Sequence, residues 1–112
     1  IHSNASPERI AGQRQGPVIY YYAGSENGEE MADIIEDEFE EIYPDEDKVQ
    51  TMSTLTLREL RRTDAPSVLV EVAYHDNPED AGWIKNNIRP IARALSRSLA
   101  EYFGVPFAEP AV

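Results

Sequence analysis

Ser67 to Tyr74 reads Ser-Val-Leu-Val-Glu-Val-Ala-Tyr, a nearly unbroken apolar and β-branched run. Such composition belongs to a strand covered on both faces. Asp64-Ala65-Pro66 supplies the turn before it, and Asn77-Pro78 the start of the next element. The run has one discordant residue, Glu71. A carboxylate in a buried strand costs several kcal/mol unless it is paired, protonated or bound to a cation. Two readings satisfy that requirement. Glu71 pairs with an arginine such as Arg58, Arg61 or Arg62, or its strand end already meets solvent. Alternatively it is a general acid/base at the C-terminal end of a central strand, where α/β sheets place their ligands.

The chain has 112 residues, enough for one small domain. It contains no cysteine, which excludes disulfides and thiolate zinc sites. No apolar run approaches membrane-spanning length, and no signal peptide is visible. The first residue is Ile1, which suggests a processed chain or a piece of a larger one. The net charge of −11 argues against nucleic acid and anionic membrane as partners. Glu26 to Asp47 holds twelve acids and no base, whereas Lys48 onward holds eight of each. The acidity therefore belongs to one helix and its loop, most simply as a solvated face, with a cation or basic partner as the other reading.

Taken in order, Ile1 to Ala5 reads as a strand end running into a loop over Ser6 to Gln15. Asn4-Ala5-Ser6 matches a glycosylation sequon, a triplet common by chance. Val18 to Ala23, with three tyrosines, predicts a strand with one half-exposed face. Ser25 is an N-cap, and Met31, Ile34, Ile35, Phe39 and Ile42 follow at helical spacing. Tyr43-Pro44 ends that helix. Val49 to Leu60 reads as an irregular segment with a short strand over Leu57 to Leu60. Asn77 and Pro78 start a helix running to about Asn86. Ile88, Ile91, Ala92, Leu95, Leu99, Tyr102 and Phe103 then make a long stripe closed by Gly104. Val105 to Val112 reads as a frayed tail. The expected architecture is α/β, a mixed sheet flanked by helices.

Few residues can carry chemistry. His2 and His75 are the only histidines. No serine sits in a Gly-x-Ser-x-Gly elbow, and no glycine-rich phosphate loop is present.

Three segments carry a resemblance. Leu60-Arg61-Arg62-Thr63-Asp64-Ala65-Pro66-Ser67-Val68-Leu69-Val70-Glu71-Val72-Ala73-Tyr74, then Asn77-Pro78-Glu79, resembles the closing motif of the zinc-dependent N-acetylmuramoyl-L-alanine amidases. That motif reads roughly Leu-Arg, a few residues, Pro-x-Val-Leu-Val-Glu-x-Gly-Phe, then Asn-Pro. Ile1-His2-Ser3-Asn4-Ala5 resembles the family's Ser-Ile-His-x-Asn-Ala segment. Gly16 to Tyr22 resembles the strand that follows it. The order and spacing agree along nearly the whole chain. Ala73 and Tyr74 replace the more usual Gly and Phe.

The resemblance implies a peptidoglycan hydrolase that cleaves the amide between N-acetylmuramic acid and L-alanine of the stem peptide. It implies Zn2+ as cofactor, with His2 as a metal ligand. Glu71 matches the glutamate that activates water at the zinc and returns the proton to the leaving amine. Asn4 is implied near the metal, as substrate contact or as a loop-capping amide. His75 has no counterpart and is read as a substrate-side or surface histidine. The family's first histidine ligand, on a Gly-His-Gly-Gly-like loop, and its glutamate ligand both precede the Ser-Ile-His segment. Residues 1–104 are therefore expected to be the C-terminal part of the catalytic domain, lacking its N-terminal strand and helix, with 105–112 a tail. The absent N-terminal part is itself an implied partner. On their own, these 112 residues are expected to bind zinc weakly and to be inactive. Peptidoglycan is the implied partner, and the implied location is secreted, at the cell wall, or released by a phage during lysis. A non-catalytic relative that binds peptidoglycan or a protein partner is the alternative; the presence of both Glu71 and His2 argues against it.

Overall fold

The computed structural model describes residues 1–109. Four strands form one mixed sheet: β1 (His2–Asn4), β2 (Val18–Tyr22), β3 (Gln50–Thr54) and β4 (Val68–Tyr74), in the spatial order β1-β4-β2-β3. β1 runs parallel to β4, β2 parallel to β3, and β2 antiparallel to β4. The four helices are α1 (Glu26–Glu40), α2 (Arg58–Arg61), α3 (Pro78–Asn86) and α4 (Ile88–Phe103). The expected mixed α/β architecture is therefore the observed one.

The local chemistry explains the boundaries. The Ser25 hydroxyl accepts the Gly28 N–H at 3.0 Å and starts α1. Asn77 caps α3 by accepting the Asp80 N–H at 3.1 Å, with Pro78 at the first helical position. Gly104 closes α4 in the left-handed conformation, φ 65°.

Between the sheet and the helices lies the core. Met31, Ala32, Ile35 and Phe39 of α1, together with Ile91 and Ala94 of α4, cluster with Ile19, Val70, Val72 and Ala73 of the sheet. Val18, Leu60, Leu69 and Tyr74 are also buried but stand apart from this cluster. Strand alternation puts Val18 and Leu69 on the opposite side of the sheet, and the register shift between β1 and β4 brings Tyr74 there too.

Two expectations need correction. The strand expected over Leu57 to Leu60 is the short helix α2, and the strand of this region is Gln50–Thr54 instead. Thr51 and Thr54 suit an extended edge partner of β2, and a four-residue helix is too short to show periodicity. The stripe of α4 is rotated: Ile91, Ala94 and Ser98 are buried, whereas Ile88, Leu99 and Phe103 are exposed. Small residues allow α4 to approach closely, and Ser98 satisfies its hydroxyl on the Ala94 carbonyl at 2.8 Å. Residues 105–109 lie back along α4. Arg93 pairs with Glu109, and the Arg93 and Arg97 guanidiniums lie 6.0 and 5.8 Å from the Phe107 ring. The rest of the expected tail, 110–112, lies outside the described residues.

Tyr43, just past α1, donates its hydroxyl to Asp80 at 2.5 Å and stacks edge-on with Trp83 at 4.9 Å. Burial first, then the hydrogen bond to Asp80, pushes the Tyr43 phenol well above its ordinary value. The folded state thus holds this proton after the unfolded chain, titrating near pH ~10, has released it. Fewer protons on the unfolded state means that stability falls as pH rises. Wild-type stability should decline above pH ~10, and more steeply than that of Tyr43→Phe, which has no proton to lose there. Denaturant midpoints measured across that range check this; equal slopes would contradict it.

Candidate active site

β1 and β4 meet in parallel with His2 directly opposite Glu71 and Asn4 opposite Tyr74. Neighbouring strands lie about 4.8 Å apart, and paired residues share a face. The backbone therefore brings the His2 imidazole and the Glu71 carboxylate to one side of the sheet, away from α1 and α4. On β2, Val18 flanks Glu71 from the other side.

Glu71 is half-buried, and its Oε2 is fully enclosed with no hydrogen-bond partner among the described residues. Among the described residues it makes no ion pair, with Arg58, Arg61, Arg62 or any other cation. An orphaned buried carboxylate oxygen is costly unless something outside the described atoms answers it. Its influence reaches Tyr20, whose phenol is pushed up by burial, then by Tyr74 and then by Glu71. A groove of about 480 Å³ on this face of the sheet is lined by Val18, Tyr20, Met52 and Tyr74 with the cations Arg14 and Lys48.

Asn4 shares the face of His2, one pleat along, but its Oδ1 accepts the Ala5 N–H at 2.9 Å. That is the loop-capping arrangement. The structure does not bring His75 to the His2–Glu71 pair. Its Nδ1 lies 2.8 Å from the Ser3 hydroxyl, and Ser3 alternates to the opposite face of β1.

The loop between β1 and β2 is pinned by residues that local reading treats only as a helix start. Asp76 Oδ2 accepts from Gly12 N–H at 2.8 Å and Ser6 N–H at 3.1 Å, and these bonds, Gly12 first, hold its carboxyl below the usual range. Asn77 donates to the Gly12 carbonyl at 2.8 Å and accepts from Gln15 at 3.0 Å. Asp80 reaches Gly16 and Tyr74. The only signal in the sequence was an excess of polar side chains just after the strand.

The fit to a zinc ion can be judged from these groups. His2 is an exposed imidazole free to ligate, and Glu71 Oε2 is the kind of unanswered acceptor that a cation's field offsets. They suit one ligand and one acid/base of such a centre. Among the described residues, no group of three or more His, Asp or Glu side chains is placed to hold a metal ion.

The fold and this face define a mixed α/β domain in which a carboxylate of β4 and an imidazole of β1 lie side by side on the sheet. The particular family follows from comparison: residues 1–101 match the N-acetylmuramoyl-L-alanine amidase family Amidase_3, and the chain belongs to it. Among solved structures, it is similar to the CwlD amidase from Clostridioides difficile in complex with the GerS lipoprotein, at 18% identity and TM-score 0.77, over 93% of this chain and 52% of that one. It is similar to the catalytic domain of the CD27L endolysin targeting Clostridia difficile, at 25% identity and TM-score 0.73, over 96% and 53%. It is also similar to the catalytic domain of CwlV, an N-acetylmuramoyl-L-alanine amidase from Bacillus (Paenibacillus) polymyxa var. colistinus, at 19% identity and TM-score 0.71, over 93% and 55%. The chain thus spans about half the length of these structures. No match is found among curated protein sequences.

Proposed function

We propose that this chain is part of a zinc-dependent amidase that cleaves the bond between the lactyl group of N-acetylmuramic acid and the L-alanine of the stem peptide. The observation that carries the reading is the pairing of His2 with Glu71 on one sheet face, with Glu71 Oε2 buried and unpartnered. His2 would be one of the ligands holding the zinc. When bound, the zinc supplies Lewis acidity and water that ionises near neutral pH.

Glu71 does the proton work. Its carboxylate accepts a proton as water adds to the lactyl carbonyl carbon. It then gives that proton to the alanine nitrogen as the C–N bond breaks. The products are a muramoyl carboxylate and a peptide with a free amino terminus, so atoms and charge balance. The half-buried position shields the carboxylate from bulk water, which strengthens its field on the reacting groups. Tyr20, Tyr74 and Val18 wall the groove on the same face of the sheet. We place the enzyme's action at the cell wall, because its substrate is there.

Residues 1–112 alone supply a single imidazole to this centre, so we propose that they bind zinc weakly and turn nothing over. The complete gene product incubated with purified peptidoglycan should release peptides with new alanine amino termini, read by mass spectrometry. The same digest with residues 1–112 should release none. New reducing ends or cut cross-links in place of alanine termini would refute the reading. Binding without cleavage would support the non-catalytic alternative.

A further inference from the structure

Past Glu71, β4 leaves the regular ladder. His2 faces Glu71 and Asn4 faces Tyr74, so two steps on β1 are matched by three on β4. Val72 and Ala73 are consecutive, yet both belong to the helix-side core. A side-chain period of two forbids that, so the strand accommodates one extra residue as a bulge, rare in a parallel pair. A bulge frees backbone groups that must find partners elsewhere.

Asp80 supplies the partner. It is 1% exposed. Its Oδ2 accepts the Tyr74 N–H at 3.0 Å and the Gly16 N–H at 2.8 Å. Its Oδ1 accepts the Tyr43 hydroxyl at 2.5 Å. One carboxylate oxygen therefore joins the end of the bulge to the residue two before Val18, and Val18 and His2 are the two cross-strand neighbours of Glu71. Gly16 is suited to this junction: its φ of 103° is left-handed, and a Cβ there would collide with the Lys48 carbonyl.

We infer that Asp80 is a positioning residue for Glu71: by holding the bulge at Tyr74 and the start of β2 on one oxygen, it keeps Glu71 facing His2. This rests on the reading of Glu71 as the acid/base. Without Oδ2 the Tyr74 N–H is orphaned. The pair can regain a ladder bond by losing the bulge, a one-residue slip that turns side chains to the other face. The two oxygens divide the work, because Oδ1 serves Tyr43 and the core while Oδ2 serves the strand bearing Glu71.

That division makes the test. In the complete gene product, Asp80→Ala should lower kcat by at least ~10-fold with KM within about threefold, the signature of a displaced catalytic group. Asp80→Asn can turn its oxygen to Gly16 and Tyr74 and its amide to the Tyr43 hydroxyl, so it should keep kcat within about threefold. Tyr43→Phe should lower Tm yet keep kcat within about threefold, since it touches only Oδ1. Should Asp80→Ala not fold, Asp80→Ser, too short to reach both amides, takes its place. Wild-type kcat in the Ala or Ser variant overturns the proposal. So does a kcat loss in Tyr43→Phe equal to that in Asp80→Ala, which would make Asp80 merely structural. A wild-type protein that cleaves nothing refutes the amidase reading instead. Hydrogen exchange at the Tyr74 amide then decides on Asp80: faster in Asp80→Ala supports its role, unchanged overturns it.

Discussion

Replacing Glu71 by glutamine is expected to lower kcat by about 10²–10⁴-fold while leaving the fold intact and Tm equal to or above that of the wild type. The two halves of this expectation come from the same atoms. Glutamine has the shape of glutamate, so β4 keeps its pairing with Val18 on one side and His2 on the other. It lacks the charge, however, and cannot take a proton from water at any ordinary pH. For stability the change is neutral or favourable, because Oε2 is enclosed with no hydrogen-bond partner and no ion pair. A neutral amide costs less to enclose than an unanswered carboxylate. A glutamate kept for structure behaves in the opposite way, since removing one partner of a buried pair destabilises. Activity assays together with thermal melts of Glu71→Gln therefore separate the two roles. A lower Tm with activity retained would return Glu71 to a structural part.

Phe39→Ala should cost about 3–5 kcal/mol. Phe39 is 0% exposed and belongs to the cluster between α1, α4 and the sheet. Truncation removes most of an aromatic ring from a site that cannot fill the gap, so transfer and cavity costs add. For a domain of this size, total stability is on the order of 6–17 kcal/mol, so one residue accounts for a large share. The Phe39 carbonyl accepts the N–H groups of Ile42 and Tyr43 at 3.1 and 2.8 Å, closing α1 and aiming Tyr43 at Asp80. Denaturant unfolding of Phe39→Ala checks the magnitude. A loss below about 1 kcal/mol would mean that the core collapses around the gap and is less tightly filled than described.

Much of this was legible in the sequence. β4 announced itself because its apolar run is continuous, and α1 and α3 because their caps and punctuation are local: Ser25, Asn77 and Pro78 act within one turn. β3 was hidden because an edge strand of Gln-Thr-Met-Ser-Thr buries little, so no alternation marks it. The rotation of α4 was hidden because the helix carries two apolar ridges, and the buried one uses Ala94 and Ser98 rather than its largest side chains. Glu71 and His2 are singled out by residue type and motif, whereas their pairing needed the sheet order, in which the last strand runs beside the first. Asp80 lies in the first turn of α3, and nothing in the sequence marks it further. Its partners Gly16 and Tyr43 lie 64 and 37 residues away, and a hydrogen-bond acceptor leaves no periodic trace of so distant a donor.

In the proposed enzyme, His2 and Glu71 share one metal-and-water centre. A crystal of the complete gene product grown with zinc, with anomalous scattering collected on both sides of the zinc absorption edge, tests it directly. One zinc peak is expected within bonding distance of a His2 ring nitrogen, about 2.0–2.1 Å, with the Glu71 carboxylate within hydrogen-bond reach of a water on that ion. A zinc peak elsewhere with His2 free, or a Glu71 side chain turned onto an arginine, would contradict it.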